Sequence, residues 1–170
     1  MMSDMAAVMD GPLADLSAWD TTGCSIARAM DLIGTRSAML ILREAYYGTR
    51  RFDGFARRVG ITDAAAAGQL RKLTEAGLLE KQPYREEGKR TRNEYVLTQM
   101  GRDLLPAVVA LWQWGDTYLQ PGPPPLLRVD ADTDTPVTVD LRTPDGTEVP
   151  LERLKVRVNK DYLRARKNAR

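Results

Sequence analysis

The sequence predicts a mainly helical α+β fold, and three observations predict it. Residues 13–120 carry apolar residues at helical spacing between capping residues and glycines. One β-hairpin pattern interrupts these helices. Beyond a proline-rich segment at 121–125, apolar and polar residues alternate at period two, which is typical of short strands.

A chain of 170 residues allows one compact domain with an appendage. The predicted parts are a flexible N-terminus at 1–12, a helical domain at 13–120, a Pro-rich linker at 121–125, a β-strand extension at 126–158 and a basic tail at 159–170. The extension is too small to be stable alone, so we expect it to pack on the helical domain or on a partner chain.

Composition excludes most classes of enzyme. The chain has no histidine and one cysteine, Cys24, which leaves no Ser-His-Asp triad, no Cys-His pair, no internal disulfide and no zinc site of the usual ligand types. Its apolar stretches fall short of the roughly 18 residues that cross a bilayer, and its acidic start is unlike a signal peptide. We therefore expect a cytoplasmic protein that is not an enzyme and uses no cofactor or metal.

Charge is distributed unevenly along the chain. The formal net charge is +2, but residues 34–102 hold 14 Lys and Arg against 8 Asp and Glu, while residues 103–152 hold 2 against 9. A basic middle segment is typical of a surface that binds a polyanion such as DNA, although it can also be a solvated face.

Helical spacing and capping residues place the elements of the domain. Ile26, Met30 and Ile33 share one face of a first helix, and Thr35 caps a second helix that ends at Gly48. Two short helices follow, capped by Asp53 and Thr62 and separated by the turn Gly60-Ile61, and the second ends at Ala76-Gly77. Such a pair predicts a helix-turn-helix motif.

The next segments predict a wing and a long helix. Leu78–Tyr84 and Arg92–Leu97 form a hairpin pattern around a charged tip, and a hairpin directly after the motif makes a winged helix. Thr98 caps a long helix whose apolar stripe is broader than packing on one neighbour requires. We interpret the excess as a dimerisation surface, with ordinary core packing as the alternative.

The second helix of the motif carries the candidate DNA contacts, because this helix enters the major groove. Gln69 is the candidate base reader, since glutamine can pair with N7 and N6 of adenine, and Ala64 or Ala65 could touch a thymine methyl. The wing tip and the approach to the motif supply cations for phosphates or the minor groove. The full candidate set is Thr62, Ala64, Ala65, Gly68, Gln69, Arg71, Lys72, Arg51, Arg85, Lys89, Arg90 and Arg92.

Seven short motifs occur in order between Cys24 and about Leu119: CSIARAMDLIG from Cys24, ILRE from Ile41, RF from Arg51, LRKL from Leu70, EAGL from Glu75, YVLT from Tyr95 and GRDLLP from Gly101. In this order and spacing, the stretch resembles the HxlR family of bacterial winged-helix transcription regulators. The resemblance implies a homodimer, most simply a repressor, on a near-palindromic operator in double-stranded DNA. It also implies dimerisation through the first helix and the long helix.

Three departures from the family pattern bear on function. Ser37 stands where the family usually has Trp, the chain extends beyond Pro125, and Ala64, Ala67 and Gly68 stand where the family has larger polar residues. This small-residue surface leaves a second interpretation open, a winged-helix protein-interaction module with weak or no specific DNA binding.

Two features could control such a regulator. Cys24 occupies a position where some HxlR-like regulators carry a redox-reactive thiol, although a lone cysteine is most often a buried apolar residue. Alternatively, Met100, Trp112, Trp114 and Tyr118 could line a pocket for a small-molecule effector between the long helix and the extension, or simply form core and dimer contacts.

Overall fold

The computed structural model describes residues 7–15, 23–88, 90–162 and 164. The chain divides into two compact units, which are Ser25–Val139, called the winged unit, and Met1–Cys24 together with Asp140–Arg170, called the terminal unit. Within the described residues no helix is both long and apolar enough to cross a membrane.

The winged unit confirms the predicted α+β winged helix-turn-helix architecture. Its helices are α1 (Ser25–Ile33), α2 (Arg36–Tyr46), α3 (Phe52–Val59), α4 (Asp63–Glu75), α5 (Gln99–Asp103) and α6 (Leu105–Tyr118). The wing is an antiparallel pair, β1 (Leu79–Tyr84) and β2 (Arg92–Leu97), in which Leu79 lies opposite Leu97 and Tyr84 opposite Arg92.

Local chemistry explains where the motif helices begin and end. The hydroxyls of Thr35 and Thr62 accept hydrogen bonds from the amides of Ala38 (3.1 Å) and Ala65 (3.2 Å), as N-caps do. Gly60 ends α3 with a positive φ of 70°, which a glycine adopts without strain. The predicted cap of α3 is wrong, because Arg51 occupies the N-cap position and α3 begins one residue before Asp53.

The apolar faces of α2, α3, α4 and the wing meet in one core. Its fully enclosed members come from every element of the motif, and they are Ala38, Ile41, Leu42, Phe55, Leu70, Leu73, Leu78 and Leu79. Burying one such large side chain stabilises the fold by roughly 1.5–3 kcal/mol, so this core fixes the geometry between the two helices of the motif.

The predicted long helix is divided at Leu104 into α5 and α6. Thr98 caps α5 by accepting from the amide of Gly101 at 3.1 Å. Pro106 stands in the first turn of α6 and has no amide hydrogen, so it cannot continue the hydrogen-bond ladder of α5. The apolar stripe of α6 is retained.

The region beyond Pro125 differs most from its predicted form. Residues 126–139 belong to the winged unit and residues 140–158 to the terminal unit. The β-structure of these residues is limited to two isolated bridges, Val129 with Pro136 and Arg142 with Glu148, and to one two-residue strand, Lys155–Val156. A continuous three- or four-stranded sheet is not formed. The prolines in this region lack amide donors, and the alternating apolar side chains are exposed or at most half-buried, so the pattern has no buried face to stabilise a sheet.

Part of the predicted flexible N-terminus is ordered. Val8–Met9 pairs in parallel with Lys155–Val156, and the amide of Val8 donates to the carbonyl of Leu154 at 2.7 Å. The predictions for residues 1–6, and for 165–170 of the basic tail, lie outside the described residues.

Candidate nucleic-acid interface

Helix α4 presents a small, weakly charged surface. Its N-terminal residues Thr62, Ala64 and Ala65 are exposed, and Gly68 is half-buried. Arg71 and Lys72 are exposed further along, and Arg71 lies 4.0 Å from Glu75 one turn ahead. The structure therefore brings most of the predicted α4 contacts to one exposed surface, and Lys72 adds a cation to it.

The prediction that Gln69 faces outward is wrong in this structure. Its exposed fraction is 9%, and it lies on the side of α4 that also buries Ala66, Leu70 and Leu73. The reason is helical geometry, since Gln69 follows Ala66 by three positions and Leu73 follows Gln69 by four. The candidate base reader therefore belongs to the inner face of the helix.

The wing carries exposed cations beside this helix. Arg85, Arg90 and Arg92 are exposed, while the structure of Lys89 lies outside the described residues. Because Tyr84 pairs with Arg92 at the end of the ladder, these arginines cluster around the turn of the wing.

Arg51 connects the start of α3 to the wing. Its guanidinium lies 2.5 Å from the carboxylate of Glu86 and 4.8 Å from the centre of the Tyr84 ring. The hydrogen bond that Arg51 donates to Glu86 holds the pKa of Arg51 above its usual value. Arg50 makes a parallel connection, an ion pair with Glu94 at 3.2 Å. Arg51 thus orients the wing as well as adding charge.

Four arginines lie together where α2 leads into α3. A hollow of about 480 Å³ opens there, which we call the basic hollow, and it is lined by Gly48, Thr49, Arg50, Arg51, Asp53, Gly54, Arg57, Arg58 and Glu94. The candidate set named only Arg51 of these arginines. The cluster Arg50-Arg51 and Arg57-Arg58 is visible in the sequence, but only the fold shows that both pairs line one concavity.

A buried carboxylate lies behind the basic hollow. Glu44 of α2 has an exposed fraction of 2%, and its Oε2 accepts from the Nε of Arg58 and, at 3.4 Å, from the hydroxyl of Thr49. Its Oε1 accepts from Arg43 at 2.7 Å. Burial would raise the pKa of Glu44, but the hydrogen bonds from Arg58 and Arg43 outweigh it and leave the pKa below its usual value.

Helical periodicity could have located Glu44, because it follows the buried Ile41 by three positions. A glutamate next to an arginine on a helix is, however, usually a sign of a solvated face. Sequence reasoning missed it for that reason.

A second hollow lies between α2 and α6, and we call it the α2–α6 groove. Its volume is about 380 Å³, and it is lined by Met39, Leu40, Arg43, Tyr47, Val108, Leu111, Trp112, Gly115, Asp116, Leu119, Gln120, Pro125 and Leu126. The edge of Tyr47 contacts Trp112, with ring centres 6.1 Å apart. Asp116 is paired with Arg128 at 2.6 Å.

Only Trp112 of the four predicted pocket residues lines this groove. Trp114 and Tyr118 contact each other with ring centres 5.8 Å apart and remain exposed, and Met100 is exposed on α5. The prediction that Met100, Trp114 and Tyr118 line a pocket is therefore wrong. Helix α6 turns only part of its broad stripe towards α2, and Met100 belongs to the separate helix α5.

Helices α1 and α6 keep exposed apolar residues, as a dimerisation surface would. Ile26 and Met30 of α1 and Leu111, Trp114 and Tyr118 of α6 are all more than half exposed. Cys24 is half-buried and stands directly before α1. Within the described part of the chain, no group of three His, Cys, Asp or Glu side chains is placed to hold a metal ion.

Comparison with known proteins agrees with this architecture. A family model described as HxlR-like helix-turn-helix matches residues 32–123. An uncharacterised HTH-type transcriptional regulator of Mycobacterium tuberculosis is 48% identical over 108 residues, which are 62% of this chain and 67% of the relative. The HTH-type regulator YdeP of Bacillus subtilis is 30% identical over 105 residues, 61% of this chain and 80% of YdeP.

Solved structures show the same fold. The candidate transcription factor PA1607 has a TM-score of 0.70 and 36% identity, and the match covers 81% of this chain and 95% of that chain. The reduced form of the redox regulator HypR has a TM-score of 0.51 and 28% identity, over 56% of this chain and 93% of HypR.

Proposed function

Since this chain belongs to the HxlR-like helix-turn-helix family, whose relatives are transcriptional regulators rather than enzymes, we propose that it is a homodimeric, sequence-specific repressor in the cytoplasm. Its target is a near-palindromic operator in double-stranded DNA. The observation that supports the proposal is the basic hollow, in which four arginines lie together with the wing residue Glu94. The same motif exposes the N-terminus of α4 and the arginines of the wing.

In the proposed complex, α4 lies in the major groove and α3 crosses the phosphate backbone. The cations of the basic hollow neutralise phosphates and supply most of the affinity. Because Gln69 is buried, base recognition depends on contacts from Ala64 and Ala65 to thymine methyls and on groove shape sensed by the wing.

The proposed dimer buries the exposed apolar residues of α1 and α6 against a second copy. Two motifs related by a two-fold axis bind half-sites whose centres are about 34 Å, one turn of DNA, apart. The expected operator therefore repeats its half-site in inverted orientation at that spacing.

Release from DNA requires an input, and two are available. A small molecule can occupy the α2–α6 groove, or Cys24 can be oxidised. HypR, a redox regulator of similar fold, gives a precedent for oxidation. Because this chain has no second cysteine, oxidation of Cys24 can give a disulfide with the partner's thiol, a disulfide with an external thiol, or a higher oxidation state of the sulfur. Failure of a thiol-reactive probe to label native Cys24 would eliminate the oxidation route.

The deciding experiment is fluorescence anisotropy of labelled fragments of the gene's own upstream DNA, against scrambled fragments, at several salt concentrations. A regulator should bind one fragment about a thousandfold or more tighter than the scrambled control. Arg90→Gln should weaken binding to all duplexes, whereas Arg36→Gln is the matched control, because Arg36 begins α2 and lies about 15 Å along that helix from the basic hollow.

The burial of Gln69 and the small residues of α4 favour a second candidate, a winged-helix protein-interaction module. Equal, weak binding to both kinds of fragment, followed by failure to select any genomic fragment, would decide for that module and against the repressor.

A further inference from the structure

One buried carboxylate connects the two hollows of the winged unit. Glu44 accepts through Oε1 from Arg43, which lines the α2–α6 groove, and through Oε2 from Arg58, which lines the basic hollow. The side chains of the two arginines are 37% and 51% exposed, so each presents part of its guanidinium to its own hollow.

Charge counting shows that this cluster is incomplete. Two guanidinium groups, which stay charged, share one carboxylate, so one positive charge is left without a buried partner. The other charged residue lining the groove, Asp116, is already paired with Arg128 at 2.6 Å. The surplus charge is solvated, because the side chains of Arg43 and Arg58 are 37% and 51% exposed. An anion can therefore replace this water either from the groove, at Arg43, or from the basic hollow, at Arg58.

The groove fits a particular class of anion. Its volume of about 380 Å³ lies within the range of small-molecule sites. The rings of Tyr47 and Trp112 meet edge to face and line it together with aliphatic side chains, a surface that suits a flat apolar body. Arg43 stands in this apolar lining. Its Nε and one terminal nitrogen donate to Glu44 at 3.2 and 2.7 Å, and the edge between its two terminal nitrogens can bind a carboxylate at two points.

We propose that the α2–α6 groove binds a small ring-bearing carboxylate at Arg43, and that Glu44 carries its effect to Arg58 in the basic hollow. The inference rests on the proposed function, because Arg58 affects a measurable affinity only if the hollow holds DNA phosphates.

The coupling follows from the sharing of Glu44. When a carboxylate pairs with Arg43, Glu44 is left wholly to Arg58 and neutralises it, so Arg58 attracts a phosphate less. When DNA pairs with Arg58, Glu44 is left to Arg43, which then attracts the ligand less. The two bindings oppose each other, and thermodynamic linkage requires the same factor in both directions.

The first test needs no ligand and uses a double-mutant cycle on DNA affinity. Arg43→Gln removes the competitor for Glu44, as an occupied groove would, and should weaken binding to the selected duplex by roughly fivefold. In an Arg58→Gln background the same change should have no effect. Arg43→Lys, which keeps the charge, should stay near the wild-type affinity, and Arg36→Gln is the control for loss of one distant cation.

Two results of this cycle would overturn the inference. One is an unchanged DNA affinity in Arg43→Gln, checked for native folding by circular dichroism. The other is an equal loss in both backgrounds, which would mean that Arg43 acts on DNA without Arg58. A wild-type chain that binds no duplex specifically would instead overturn the proposed function, so the two failures are distinguishable.

The second test uses 1-naphthoate and its neutral analogue 1-naphthalenemethanol, measured by calorimetry and by competition with labelled DNA. Naphthoate should bind at least tenfold tighter than the alcohol and should displace DNA. Arg43→Gln should remove the preference for the anion. Equal binding of the two probes, absence of binding by either, or binding of naphthoate that leaves DNA affinity unchanged would each overturn the assigned ligand class.

Discussion

The exposed face of α4 and the basic hollow are neighbouring parts of one motif, but they are built from opposite kinds of residue. The N-terminal half of α4 shows small side chains and hides its one long amide, Gln69, while the hollow collects Arg50, Arg51, Arg57 and Arg58. Cations on the backbone side favour affinity for any duplex, and small residues on the groove side leave little direct reading of bases.

In the proposed complex with DNA, this difference predicts that affinity and specificity have separate origins. We expect the affinity to come from the α2–α3 corner and the choice of sequence to come from the wing and from groove shape.

The largest effect is expected from Glu44→Leu. It leaves Arg43 and Arg58 without their carboxylate, but their side chains are 37% and 51% exposed and stay partly solvated. We therefore expect a loss of about 1.5–3 kcal/mol, which is typical of hydrogen bonds to a charged group. Urea unfolding measures the change. A decrease in the free energy of unfolding below about 1 kcal/mol would show that water stabilises the two arginines well enough without Glu44. The arginines of the basic hollow would then not depend on a buried carboxylate.

The same carboxylate predicts a dependence of stability on pH. Because its pKa is lowered in the folded chain, its contribution is fully present above the unfolded value of about 4.3 and is lost as the pH falls through the folded value. The difference in the free energy of unfolding between wild type and Glu44→Gln should therefore shrink as the pH falls from about 6 to about 3, a range that includes the ordinary pKa of a glutamate. A difference that is constant across this range would contradict the assignment.

Thr62→Ala tests the N-terminus of α4, the part of the motif that exposes small side chains. It removes the hydroxyl that accepts from the amide of Ala65, and loss of such a cap costs about 1 kcal/mol. Thr62→Ser keeps the hydroxyl and should restore the stability measured by thermal unfolding. If both variants lose the same amount, the cap contributes little and α4 is held by its buried face alone.

How much of this contrast the sequence could predict depends on what each signal reports. Caps and apolar spacing are local, and they predicted α2, α4 and the wing with accurate bounds. The joint lining of a hollow by Arg50 and Arg58 depends on how α2 packs on α3, which no local pattern contains. The alternation beyond Pro125 was misleading because strand pairing requires a buried face that this segment lacks.

Arg57→Gln tests the arginines of the basic hollow, and we expect it to have a smaller effect on DNA binding. Removal of one phosphate contact should weaken all duplexes alike and reduce the slope of log affinity against log salt by about 1. Its matched control is Arg28→Gln, on α1 and outside the lining of the basic hollow. A sequence-dependent loss would mean that the hollow reads bases and would remove the separation argued above.

The smallest effect is expected from Gln69→Met, which replaces the buried amide by an apolar chain of similar length. If Gln69 read adenine, this change would cost about 1–3 kcal/mol on the selected operator and would relax the preference at one base pair. Because only 9% of Gln69 is exposed and its side of α4 packs inward, we expect the base preference to stay unchanged in a competition with single-base variants. Loss of the preference at one base pair would show that α4 rotates, or that the side chain of Gln69 moves outward, when the protein binds DNA. The exposed surface of small residues would then describe only the unbound protein.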